Sequence, residues 1–226
     1  MNRINKFYNY PKLIQWLIAV PLFISSLFAI GFWLDLTDVN PLFYFSIFLL
    51  APFLSFTFTP FLKLIGLYEY LSPMLLVFAP RKKKYDLHNG TSFDYLFVMK
   101  GLKPGKELKN VMLKNYMMGL LEIIRRIEAG ELPVTVIVKG SSYFFSERTA
   151  KRMGFEISKA GLFERFNLLI NFIDLTWTYS LANGKLSFPN LKNIKTAKIT
   201  GKNLVNNKAY FERVNSFLEK KLTNIK

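Results

Sequence analysis

The sequence predicts an α/β (α+β) domain carried behind an N-terminal hairpin of two membrane-spanning helices, and three observations lead to that reading. Two uncharged apolar runs of 22 residues each, 13–34 and 41–62, occupy most of the first 66 residues. From Arg81 onward, short β-branched runs alternate with longer runs of helical period. The same part holds 27 of the 31 Lys+Arg and 12 of the 15 Asp+Glu, so the basic excess sits outside the apolar segment. The expected organisation is therefore a transmembrane hairpin over 1–66, an interfacial or first-strand segment over 67–80, and a basic domain with a helical tail over 81–226.

Composition excludes several classes. A chain that is 51% hydrophobic and 16% aromatic is neither disordered nor collagen-like. With no cysteine and one histidine it has no disulfide framework, no thiolate zinc site, no cysteine nucleophile and no metal centre built on several imidazoles. No metal and no particular cofactor is implied.

Each apolar run is long enough for a hydrocarbon core of about 30 Å at about 1.5 Å per residue. Trp16 and Trp33 stand near the ends of the first, where amphipathic rings prefer the headgroups. A cleaved signal peptide would have a shorter apolar stretch followed by a small-x-small site, which is missing here. Pro52 and Pro60 are expected to kink the second run or end it early. The turn between the runs carries Asp35 and Asp38, whereas Arg3, Lys6 and Lys12 precede the first run and Arg81, Lys82, Lys83 and Lys84 follow the second. The positive-inside rule then places both termini in the cytoplasm and the protein in the inner membrane as a multi-pass chain.

Within 67–80, the run Met74 to Phe78 has strand length. Asn89-Gly90 predicts a two-residue hairpin between strands 82–88 and 91–100, with Phe93, Tyr95 and Phe97 on one face. Apolar residues at Leu108, Met112, Tyr116, Leu120, Ile124 and Ile127 predict a long helix ended by Gly130. Residues 133–140 predict a strand parallel to the hairpin's second strand through that helix. A short helix over 146–153 stops at Gly154 and leads into a strand at Phe155 and Ile157. Leu162, Phe166, Leu169, Ile173, Trp177 and Leu181 form one stripe of a helix closed by Asn183-Gly184, either packed on the core or lying on the bilayer. A last amphipathic helix over 206–222 should turn Tyr210, Val214, Phe217 and Leu218 inward.

Candidate chemistry gathers in three places. Asp86, His88, Thr91, Ser92 and Asp94 surround the expected turn; His88 and Asp94 are candidate acid/base groups, although such residues also build ordinary turns. Ser141 and Tyr143 follow a strand end, where open sheets hold ligands, and Ser146 there is equally a helix cap. Lys103, Gly105 and Lys106 lie at a strand-to-helix junction whose free amides and cations suit an anion, with Arg148 as a further cation; the junction lacks the Gly-Lys-Ser/Thr end of a nucleotide P-loop. Residues 74–157, ending in SERTAKRMGFE (146–156), resemble in element order the second half of a GNAT-type acyltransferase. That resemblance implies coenzyme A pyrophosphate at the helix starting near Gly105. The chain departs from the family's glycine-rich signature, offering Lys103-Pro104-Gly105-Lys106, and has Ala150 where a late-helix Tyr is usual.

Three functions are weighed on these features. The first is an anchored interaction or scaffolding module docked on the anionic inner leaflet through Arg81, Lys82, Lys83 and Lys84, with a protein partner or a second copy of the chain. The second is a membrane-bound transferase acting on acyl or lipid-linked substrates. The third, a tethered nucleic-acid binder, has the charge but no helix-turn-helix, RRM or zinc motif.

Overall fold

A computed structural model describes residues 5–142 and 147–223. The first apolar run forms α1, Lys12–Val39, of 28 residues. At about 1.5 Å per residue this is about 42 Å, so it exceeds a hydrocarbon core by about 12 Å. A 3-10 turn over Pro41–Ser46 leads into α2, Ile47–Leu64. Both helices are long and apolar enough to cross a bilayer.

Of the two outcomes expected of Pro52 and Pro60, a kink or an early end, the early end does not occur: both lie inside α2. The hydroxyls of Thr57 and Thr59 donate to the carbonyls of Phe53 and Ser55, four residues back, and reinforce the ladder beside Pro60. The Ser26 and Thr57 hydroxyls join the two helices at 2.5 Å in a buried contact, and the Phe23 ring stacks on Phe61 at 4.0 Å.

Residues 67–80 are strands of the domain. A mixed sheet of six strands has the order β1-β2-β3-β4-β6-β5, formed by β1 (Tyr68–Ser72), β2 (Leu75–Phe78), β3 (Lys84–Asn89), β4 (Ile137–Ser142), β5 (Glu156–Lys159) and β6 (Lys195–Thr200). Only β3 and β4 pair in parallel, and the rest of the ladder is antiparallel.

The nine α-helices among the described residues include α3 (Ser92–Val98), α4 (Lys106–Glu128), α5 (Glu147–Arg152), α6 (Leu162–Ile170), α7 (Phe172–Asn183), α8 (Gly201–Asn206) and α9 (Lys208–Thr223). One sheet face is covered by α4, α8 and α9, and Val77, Ile123, Ile124, Val138, Leu204 and Phe211 are sealed between them.

The Asn89-Gly90 hairpin is not formed. β3 pairs with β2, and the chain beyond Gly90 turns into α3. A capping box decides this: the Asp94 carboxylate accepts from the Thr91 amide while the Thr91 side chain accepts from the amide of Asp94, so both orphan donors are met and helix wins over the alternating aromatic pattern. The parallel partner of β4 is consequently β3, with Asp86 opposite Lys139.

Three elements have no counterpart in the sequence reading, β1, β6 and α8, and β6 separates β5 from β4. Asn171 divides the expected helix over 162–181 into α6 and α7. In α9 Phe211 and Leu218 are buried and Val214 packs against the core, a stripe at three- and four-residue spacing that leaves the expected Phe217 exposed one position off it. The long helix and the left-handed stops at Gly130, Gly154 and Gly184 agree with the sequence.

Gly119 lets α4 lie directly on the first two strands. A Cβ there would stand 2.5 Å from Leu75 Cδ2 and 3.3 Å from Leu71 Cβ. Gly119→Val is therefore expected to lower stability by about 2 kcal/mol through overpacking, read as a lower midpoint in chemical denaturation. A midpoint equal to that of the natural chain would contradict this packing.

Candidate functional site

The most constrained group in the protein is Asp94. Its residue is fully buried, and its carboxylate accepts from four partners: Asn5 Nδ2 at 3.0 Å, Tyr70 Oη at 2.7 Å, the Thr91 amide at 2.9 Å and Thr91 Oγ1 at 3.2 Å. Thr59 of α2 donates to the Thr91 hydroxyl at 2.8 Å. The cluster thus ties together the segment before α1, the end of α2, the first strand and α3.

Aromatic rings close it from water. Phe7 stands edge-on to Phe93 at 5.1 Å, Phe56 of α2 meets Phe93 at 5.4 Å, and Tyr8 tilts against Tyr70 at 5.5 Å. Gln15, buried inside the first turn of α1, donates to the carbonyls of Tyr8 and Tyr10 and fixes the chain's approach to the joint.

Contacts along α2 set the attitude of the domain. Phe56 touches Phe93, Thr59 touches Thr91, Lys63 stands over the Tyr70 ring, and Leu67, just past the helix, accepts from the Ala79 amide. The sheet therefore runs back alongside the last turns of α2. Its Asn89 end lies toward the middle of the hairpin, and Arg81, Lys82, Lys83 and Lys84 lie beyond the helix end.

Burial drives the Asp94 carboxyl above its ordinary value, and the bonds from Asn5, Tyr70 and Thr91 pull part of that back. Burial likewise pushes Tyr68 up to about 12. Asn5, Thr59, Tyr70 and Asp94 are buried and Thr91 is partly so, and the arrangement holds four segments together. Asp94, expected as an acid/base candidate, lies buried with its carboxylate accepting from Asn5, Tyr70 and Thr91.

The other sequence candidates fall elsewhere. His88 projects from the polar face of the sheet with Asp86 and Lys139. Lys139 reaches Asp86 at 3.4 Å and Glu164 of α6 at 3.4 Å. Continuing the β3–β4 register by two residues brings His88 level with Ser141, so these two candidates share a face, whereas Asp94 stands apart from them. The Ser141 hydroxyl is already paired with Thr196 at 2.8 Å. The His88 ring is exposed on one side, and crowding on the other pushes its pKa below the ordinary histidine value. Tyr143 and Ser146 lie outside the described residues, as does Arg3.

The expected anion loop is a helix–loop–helix connection, since α3 replaces the strand that would have led into it. The Gly105 amide donates to the Leu181 carbonyl, and Glu107 accepts from the Lys103 amide, so part of the supposed cradle is occupied by the chain itself. Gly105 abuts Gly184, which places Lys185 beside Lys106. Arg148 is exposed on α5, which packs on β5. The junction that the acyltransferase resemblance requires is thus missing.

Sequence reasoning did not find Asn5, Thr59 or Tyr70 as partners of Asp94, and it missed the Arg126 hub. There the guanidinium meets Glu69, Glu122 and the Tyr85 hydroxyl, beside a cleft of about 230 Å³ that Arg81 and Lys82 also line. Compared with protein-family models, curated proteins and solved structures, the chain matches none.

Asp94→Ala is expected to cost about 3 kcal/mol by leaving buried donors without an acceptor, measured by denaturation of the full chain in detergent. The pH dependence has a fixed sign. Because the folded pKa lies above the unfolded value, the contribution of Asp94 is complete below the unfolded value and is lost as pH rises through the folded one. Asp94→Asn should remove that part of the pH slope; an unchanged slope would contradict the assignment.

Proposed function

We propose that the protein is a bilayer-anchored interaction module, in which a spanning hairpin holds a basic α/β domain in one attitude on the anionic cytoplasmic leaflet and presents it to a protein partner or a second copy of the chain. The observation that carries this reading is the hydrogen-bonded joint around the buried Asp94. A tether needs only a flexible linker, whereas a joint built from Asn5, Thr59, Tyr70, Thr91 and Asp94 orients what it holds.

The formal charge of +16 suits a surface of anionic lipid, where each Lys or Arg held close contributes about 1 kcal/mol. The acidic turn with Asp35 and Asp38 then faces the opposite side.

The chain has no cysteine, so single reporters can be placed at will. In intact cells making the full chain, a cysteine at Asp38→Cys is expected to react with an impermeant maleimide, and one at Lys198→Cys only after permeabilisation. Both should stay with the membrane in alkaline carbonate. Extraction by carbonate, or the reverse order of labelling, would overturn the reading.

A further inference from the structure

In a soluble protein an amphipathic helix turns its apolar stripe to the core and its charges to water. In the pair α6 and α7 several of the largest apolar side chains instead stand outward. Leu162 and Phe163 are 87% and 80% exposed, and Phe166, Leu169, Ile173 and Trp177 continue the stripe outward at three- and four-residue intervals. The less exposed side of α6 carries Leu168 and Ile170 together with Glu164, which is directed at Lys139 on the polar face of the sheet; Lys139 also reaches Asp86. The stripe that the sequence predicts is therefore real, but it points away from the core.

The surface is continuous and has a charged border. Phe188, itself exposed, stacks parallel to Phe172 at 6.4 Å and joins the loop with Leu186 to the stripe. Lys185 flanks that loop, and the contact of Gly184 with Gly105 brings the exposed Lys103 and Lys106 to the same rim. Both α6 and α7 pack against α2, so the apolar face adjoins a helix that is itself long and apolar enough to cross a bilayer.

We infer that the outward face of α6 and α7, with Leu186 and Phe188, is embedded in the interfacial layer of the same leaflet that the hairpin crosses, with Lys103, Lys106 and Lys185 at anionic headgroups. The inference rests on the anchored reading above and changes where the domain meets lipid. An apolar helical face of this extent, beside a membrane-length helix and bordered by lysines, has the layout of an interfacial helix.

Nitroxide labels on single cysteines test this in the full chain, reconstituted into vesicles of phosphatidylcholine and phosphatidylglycerol. Leu162→Cys, Phe166→Cys, Leu169→Cys and Ile173→Cys should be more accessible to oxygen than to a water-soluble nickel chelate, with the periodicity of a helix lying flat. Lys198→Cys should show the reverse. Phe28→Cys, on the exposed side of α1, reports on the hairpin alone. If Phe28→Cys is deep while the four α6 and α7 sites are freely reached by nickel, the interfacial face is overturned and the anchor stands. If Phe28→Cys is also aqueous, the anchored reading itself falls. Spin–spin broadening at Phe166→Cys that disappears on dilution with unlabelled chain would assign the face to a second copy and likewise overturn the inference.

Discussion

A carboxyl taken completely out of water must be surrounded by donors, and that requirement at Asp94 organises the contact between the two parts of this protein. Its acceptor sites are filled from positions 5, 70 and 91, and the Thr91 hydroxyl is held in turn from position 59. Four segments distant in sequence are thereby fixed to one point. The hairpin and the sheet cannot tilt relative to each other without stranding some of these groups, and the rings of Phe7, Phe56 and Phe93 keep water from substituting for them.

The joint places everything else. With the sheet running back along α2, the core under α4, α8 and α9 lies on one face, and the polar face with Asp86, His88 and Lys139 lies on the other. That polar face is what lets α6 sit with Glu164 inward.

Much of this was legible in the sequence because it depends on local signals. The two apolar runs, the period of α4 and the glycine stops at Gly130, Gly154 and Gly184 need no distant partner. What failed depended on competition or on tertiary context. Asn89-Gly90 carries a strong hairpin signal, yet Thr91 and Asp94 form a capping box immediately after it, and the helix it starts was hidden by the alternation of Phe93, Tyr95 and Phe97. The central strand β6 is rich in Lys and Thr, so its burial between β4 and β5 leaves little hydrophobic trace. The direction of the α6 stripe could not be read at all, because a helical period gives a face and says nothing of what the face meets. Asp94 looked like a turn residue for the same reason: its partners Asn5 and Tyr70 are brought to it only by the fold.

The claim on which this account turns is that the hairpin and the domain form one rigid unit through the Asp94 joint. The most direct measurement is the distance distribution between spin labels at Val39→Cys, at the far end of α1, and Lys198→Cys on the sheet, recorded by pulsed electron resonance with the full chain in a lipid nanodisc. A single narrow distribution that broadens in the Asp94→Ala background is the predicted result. A broad distribution in the natural background, unchanged by Asp94→Ala, would contradict it and leave the hairpin as a flexible tether.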